Sequence, residues 1–203
     1  MLETIETIIQ WLGGFLAYST LGILLYGIWR GTQRQAGLTT GFTGTWLRSP
    51  CFYLASSALF LGICYFAWIP LPLTVSPPIR AGVMVAGSLL YFPGLCFTLW
   101  GRLALGDNYF VSTGFGAQLF AGHQLVTSGP FAIVRHPMYT GIFLASLGSL
   151  LIYPTWTTLL FAFFAPLTSI RAHREESALA IEFGDQWKEY CNRVPAFIPR
   201  LKR

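Results

Sequence analysis

From Ile8 to Trp29 the chain is apolar apart from Gln10 and a few hydroxyls. At 1.5 Å per residue, a run of this length spans a hydrocarbon core of about 30 Å as a helix. The preceding "MLETIETI" carries two glutamates and no Lys or Arg. A cleavable signal opens on a positive region, so the run reads as a retained transmembrane helix. A second span runs from about Cys51 to Ile69 and stops at the proline-rich "PLPLTVSPP". A third runs from about Ala81 to Trp100, with Pro93 inside it as an expected kink.

Composition agrees with these spans. Of 203 residues only 10% are charged, against about 25% in soluble domains. So few charges cannot cover a water-facing surface, and lipid must be part of the solvent. The net charge of +5 comes mostly from arginines scattered at the ends of apolar runs. That placement suits anchoring at lipid headgroups and gives no basic stripe for nucleic acid. The four cysteines form no CxxC pair or Cys/His spacing for zinc and no close-set disulfide framework. No internal repeat or second domain is visible, so residues 1–203 read as one membrane domain.

After residue 100 the character changes. Gly101 to Pro137 holds Arg102, Asp107, Asn108, Gln118, His123, Gln124 and Arg135, too polar for a span and too long for an idle connection. Two apolar runs follow, Met138 to Tyr153 and Thr155 to Ile170, split by Pro154. At 16 residues each they are roughly 24 Å long if helical, short for a full crossing. They are expected to form a tight helical hairpin. The tail from Arg171 is amphipathic and holds five of the eight acidic residues. The glycine-rich "GFGAQLFAG" reads as a flexible lid or loop. The fold expected is therefore all-α and polytopic: about five membrane helices, the last two a short hairpin, plus an amphipathic C-terminal helix.

Arginine placement sets the orientation. The loop after the first span carries Arg30, Arg34 and Arg48, the segment before it carries no Lys or Arg, and the "PLPLTVSPPIR" loop carries one arginine. The N-terminus is expected outside and the first loop in the cytosol. Counting on, the polar Gly101–Pro137 segment and the tail both fall on the cytosolic face.

Two constellations meet there. In "VRHPMYTGIF", Pro137 suits a first helical position, where no amide hydrogen is needed. Arg135 and His136 just before it are expected at interface depth, hydrated. Taken alone they are an interfacial anchor, and Tyr139 alone is an aromatic-belt residue. In "SIRAHREESALAIEFGDQWKEY", Arg171, Arg174 and Glu175 share a helical face, and Leu179 and Phe183 continue an apolar one toward the membrane surface. A hairpin joined at one proline brings its outer ends together, so Arg135, His136, Arg171 and Glu175 should converge. Ionisable residues at membrane depth are functional candidates.

The stretches "HQLVTSGPFAIVRHPMYTG" and "REESALAIEFGDQWKEYCNRVPAFIP", with "LGDNYFVS" ahead of them, resemble the isoprenylcysteine carboxyl methyltransferase family and its phospholipid methyltransferase relatives. The resemblance covers about the last hundred residues. It implies an integral membrane methyltransferase using S-adenosylmethionine. Carried over by position, it implies donor contacts from His123, Gln124, Leu125 and Val126, partly through backbone groups. Phe131 stands where the family often has tyrosine and keeps a stacking surface. His136, Pro137, Met138 and Tyr139 match a second donor-contacting stretch, Glu175 an acidic donor ligand, Gln118 a donor-contacting glutamine, and Arg171 a residue on the acceptor side.

The residue types suit that chemistry. Glu175 can pair with an ammonium or ribose hydroxyls, and His136 or Arg135 with a carboxylate. Methyl transfer is an in-line displacement in which positive charge leaves sulfur, so positioning in a dry site supplies much of the rate. Arg171 and His136 are the expected catalytic residues, and no metal is called for. The implied partners are membrane lipids and a lipophilic acceptor arriving from the bilayer. No G-x-G-x-x-G follows a strand, which excludes a soluble Rossmann-type enzyme. The rival reading is an NADPH-dependent membrane sterol reductase, a family that shares an R-H-x-x-Y element. There an acidic residue tends to follow the glycine, whereas here Ile142 follows Gly141.

Overall fold

The computed structural model describes residues 2–33, 36–41, 49–109, 111–113 and 116–200, with backbone alone for 2, 36–41, 111–113 and 116–118. Among the described residues there are six α-helices: α1 (Leu2–Thr32), α2 (Pro50–Phe66), α3 (Pro77–Leu105), α4 (Pro137–Ile152), α5 (Trp156–Phe164) and α6 (Thr168–Arg193). Two of them, within Glu3–Thr32 and Pro77–Asn108, are long and apolar enough to cross a membrane, and α2 and α4 are shorter apolar helices. Large apolar side chains such as Trp11, Phe15, Tyr65, Phe66 and Leu89 point outward. An exterior of this kind is what lipid solvent selects. Pro93 lies inside α3 without ending it.

α1 and α3 run parallel. Glu6 pairs with Arg80 at their starts, Tyr91 Oη donates to the Gly13 carbonyl at 2.9 Å midway, and Arg30 reaches Asp107 at 3.9 Å at their ends. α4 returns antiparallel along α3 on a seam of small residues. A Cβ on Gly94 would lie 2.6 Å from the Ala145 amide nitrogen, and one on Gly148 2.5 Å from the Tyr91 nitrogen. A Cβ on Gly141 would meet the Gly94 carbonyl at 2.5 Å. These two backbones touch directly, the packing by which apolar helices associate when lipid removes the hydrophobic incentive.

The turn after α4 sits at the end of the molecule where α1 begins. There Trp156 and Thr157 donate backbone hydrogen bonds to the Ile69 and Ala67 carbonyls, and Leu71 donates to the Pro154 carbonyl. Thr155 caps α5 through a reciprocal capping box with Thr158. α5 runs back beside α2, with Phe161 stacked on Phe60 at 5.5 Å. The expected second hairpin arm, Thr155 to Ile170, is not one helix. α5 stops at Phe164, a 3₁₀ turn spans Ala165–Leu167, and α6 starts at Thr168. Pro166 explains the break, because a proline removes an amide donor and clashes with the preceding turn.

At the other end the polar segment adds a feature beyond the all-α expectation. Strands β1 (Ala36–Gly41), β2 (Val111–Thr113) and β3 (Gly116–Phe120) form an antiparallel sheet in the order β1-β3-β2. "GFGAQLFAG" is thus largely a central strand and not a loop, its backbone paired on both sides. β1 comes from the loop after α1, so the two polar segments meet on one face. Arg34 and Arg48 of that loop lie outside the described residues. Leu119, fully buried, packs on Ala178 of α6 with Leu179 beside them. The apolar face of α6 therefore turns toward the sheet instead of lying on the membrane surface.

Candidate active site

Four pieces of chain enclose a cavity at this end. It takes in about 1110 Å³ of space, its open mouth included. One wall is extended backbone, His123–Val126, held where the Gln124 amide donates to Asn108 Oδ1 at 2.9 Å. Phe131, in a 3₁₀ turn, is buried, and its carbonyl accepts from Tyr190 Oη at 2.6 Å. Burial holds His123 well below the usual imidazole range, at about 4, so it is neutral near pH 7.

The second piece is the start of α4. As expected, Pro137 opens the helix behind His136. Arg135 and His136 are not hydrated, however. The His136 side chain is 5% exposed, and its Nε2 lies 2.9 Å from Glu176 Oε1. Arg135 places Nε 3.0 Å and Nη2 2.9 Å from the same carboxylate, while Nη1 donates to the Val194 carbonyl at 2.7 Å. Its guanidinium bonds Glu176 and the Val194 carbonyl, and the residue also lines the cavity. The tail explains why "VPAF" belongs with "RHP". The Arg135 and His136 amides donate to the Pro195 and Ala196 carbonyls, Thr140 Oγ1 donates to the Phe197 carbonyl, and the Phe197 ring stacks on His136 at 5.1 Å.

The third piece is the first half of α6. Tyr139 Oη donates to Glu175, whose carboxylate lies 3.5 Å from Arg171 Nε one helical turn earlier. The Arg171 guanidinium sits 5.8 Å from the centre of the Tyr139 ring. Arg174 points outward and is exposed. Past Phe183, Gly184 adopts a φ of 52° that breaks the helical path, and Trp187 and Tyr190 beyond it are buried against the cavity. A left-handed φ of this kind favours glycine.

The fourth piece is α1. Leu21, Leu24, Leu25 and Ile28, spaced i, i+3, i+4 and i+7, give the cavity an apolar wall.

The sequence-derived residues His123, Gln124, Leu125, Val126, Phe131, His136, Pro137, Met138, Tyr139, Arg171 and Glu175 all line this one cavity. The Gln118 side chain lies outside the described residues. The expected convergence of Arg135, His136, Arg171 and Glu175 resolves into two adjacent networks. Glu175 joins Tyr139 and Arg171 at the cavity, and Glu176, outside the lining, joins Arg135 and His136, which line it too. Burial alone would raise the Glu176 carboxyl, but hydrogen bonds from His136 and Arg135 outweigh it and hold the group at about 2. Sequence reasoning missed Glu176, Tyr109, Trp187, Tyr190 and the α1 stripe. The "EE" pair and the spacing of the α1 leucines were the available signals.

Comparison with known proteins adds a family. The profile for "Phospholipid methyltransferase" matches residues 83–186, about half the chain. The protein-S-isoprenylcysteine O-methyltransferase of Schizosaccharomyces pombe is 40% identical over 81 residues, covering 39% of this chain and 34% of that protein. The human enzyme of the same name is 37% identical over 86 residues, covering 39% and 29%. The Delta(14)-sterol reductase of Mus musculus is 38% identical over 79 residues, covering 36% and 18%. The matches thus span about a third or less of these relatives' lengths.

Proposed function

The chain belongs to the phospholipid methyltransferase family, and we propose that it is an integral membrane methyltransferase acting on a lipophilic acceptor with S-adenosylmethionine as donor. One observation carries this reading. A single cavity joins an apolar α1 wall to the polar cluster of Tyr139, Glu175 and Arg171 and to the aromatic surfaces of Phe131, Trp187 and Tyr190.

The residues present suit the donor. Phe131, Trp187 and Tyr190 offer surfaces for a purine, and the His123–Val126 backbone offers amide and carbonyl groups. Glu175 would hold the ammonium or ribose hydroxyls, and His136, its Nε2 hydrogen engaged by Glu176, would accept at Nδ1 from the ammonium or a hydroxyl. When bound, S-adenosylmethionine supplies a methyl group activated by its sulfonium. Arg171 orients an anionic acceptor with a planar, two-pronged guanidinium. A carboxylate or thiolate acceptor needs no strong base at this site. For an amine or phenol, His136 or Glu175 is positioned to take the proton. The α1 stripe shields the reacting groups from water and accommodates hydrocarbon.

In the membrane, α1, α2, α3 and α4 and the α5–α6 junction make five embedded passes. The N-terminus lies outside, and the sheet, α6 and the site lie on the cytosolic face. Support comes from the parallel course of α1 and α3, from the α4–α5 turn at the far end, and from the arginines of the first loop.

The match to a sterol reductase favours one rival, an NADPH-dependent reduction in the same cavity. Calorimetric titration of purified protein with S-adenosylhomocysteine and with NADPH separates them. Micromolar binding of the first and none of the second is expected, followed by transfer of radiolabelled methyl to a lipid-extractable product. Saturable NADPH binding without S-adenosylhomocysteine binding overturns the methyltransferase reading.

A further inference from the structure

The geometry points to Glu176, which lies outside the cavity lining, as the positioning residue that fixes the hydrogen of His136 on Nε2 and so sets the face His136 presents to the donor. This rests on the donor site proposed above and adds to it a residue that touches no ligand.

Glu175 and Glu176 are sequence neighbours, about 100° apart around a helix of 3.6 residues per turn. Glu175 turns to Tyr139 and Arg171 and lines the cavity; Glu176 turns to the start of α4. A carboxylate only accepts hydrogen bonds, and His136 Nε2 lies 2.9 Å from it, so Nε2 must carry the hydrogen. In the neutral ring this leaves Nδ1 as the acceptor. The carboxylate is fixed in turn by Arg135, itself tied to the Val194 carbonyl. The His136 ring is sandwiched from another side by Phe197, and its amide is bonded to the Ala196 carbonyl. Nothing in this arrangement leaves the ring free to turn. An outer carboxylate that fixes the tautomer of an inner histidine follows the logic by which orienting groups set imidazoles at reactive sites.

The chain has three histidines, so ¹⁵N-histidine labelling gives a readable spectrum, with His136 assigned by loss of its signals in His136→Gln. Ring ¹⁵N shifts at pH 7.5 report which nitrogen bears hydrogen, and calorimetry with S-adenosylhomocysteine reports donor-site affinity. In the unaltered protein, hydrogen on Nε2 is expected. Glu176→Gln places an amide that both donates and accepts, so a population with hydrogen-free Nε2 should appear and affinity should fall about three- to tenfold. Glu176→Asp keeps the charge and should recover part of both. Hydrogen-free Nε2 in the unaltered protein overturns the proposal without any variant. So does a Glu176→Gln protein in which the tautomer shifts and affinity does not, or in which neither changes. If the unaltered protein binds no S-adenosylhomocysteine, the donor reading fails, while the spectrum still decides what Glu176 does to His136.

Discussion

The body and the start of α4 are held by opposite means. Along its length the helix lies on α3 through Gly141, Ala145 and Gly148, backbone against backbone, chiefly by shape. At its start Arg135 and His136 are held by a carboxylate, by tail carbonyls and by an aromatic ring. The seam tolerates no added atom, because a close-packed interior cannot yield to one. The clasp cannot lose a charge or an acceptor, because a buried group left without its partner bears its full desolvation cost. A membrane protein can use shape where lipid leaves nothing else, and must use directional bonds where it builds a polar site.

Breaking the seam should have the largest effect. Gly148→Leu puts a side chain where even a Cβ lies 2.5 Å from the Tyr91 nitrogen and 2.7 Å from the Gly87 carbonyl. We expect a loss of about 3 kcal/mol or more, seen as aggregation or a strongly lowered thermal midpoint in detergent. Gly62→Ala in α2, where nothing lies within 4 Å, should be neutral or stabilise by up to about 1 kcal/mol through helix propensity. Equal midpoints for the two variants would mean that α3 and α4 do not meet as described.

The clasp should fail with acid. Glu176 sits at about 2 in the folded protein, below its ordinary value, so its stabilisation is complete above about pH 4.5. It is lost as pH falls toward 2, a loss on the order of 3 kcal/mol. His123, held at about 4 against an ordinary 6.5, works in the same direction at higher pH, its share fading as pH drops from about 6.5 to 4. Denaturant midpoints from pH 7 to 3 should therefore decline in two stages. Glu176→Gln should flatten the lower stage and leave the upper.

The seam and the clasp also differ in how far they can be read from sequence. Pro137 at a helix start and the apolar runs follow from local chemistry, the residues of "HQLV" and "HPMY" come from the family resemblance, and the cavity gathers them. What escaped is non-local. "GFGAQLFAG" lacks clear alternation and becomes a strand only because β1 and β2 flank it. Pro166 ends a run that hydropathy alone carries through to Ile170. In "EE" the helical spacing from Arg171 favours Glu175, and nothing within the helix says that Glu176 reaches across to α4. Likewise the α1 stripe looks like any apolar helix face until a cavity lies beside it.

Within the polar region, the cavity side should respond less than the clasp. Glu175→Gln keeps shape and removes a charge, and a charge-assisted bond is worth about 1.5–3 kcal/mol. Binding of S-adenosylhomocysteine should weaken roughly ten- to hundredfold. The thermal midpoint without ligand should stay close to that of the unaltered protein, because Glu175 is bonded at the cavity and not within the clasp. An unchanged affinity in both Glu175→Gln and His136→Ala would sink the donor assignment.

The smallest effect on donor binding should come from Arg171→Lys. Arg171 lies one turn before Glu175 on the same face of α6, and its side chain is 34% exposed while that of Glu175 is 14% exposed. The guanidinium lines the same cavity as the apolar stripe of Leu21, Leu24, Leu25 and Ile28, along which an acceptor would enter. An arginine beside hydrocarbon is costly without an anion. Glu175 meets that need in the free protein, and an anionic acceptor would share it in the complex. Lysine keeps the charge and loses the fork, so an acceptor would still be attracted but no longer fixed in angle. Donor affinity should stay within about twofold, well below the ~1.4 kcal/mol of a tenfold change. Initial rates over a range of acceptor concentrations should fall or saturate later. A tenfold loss of donor affinity with acceptor saturation unchanged would move Arg171 into the donor site, leaving the acceptor to be oriented by Tyr139 and Tyr109, which also line the cavity.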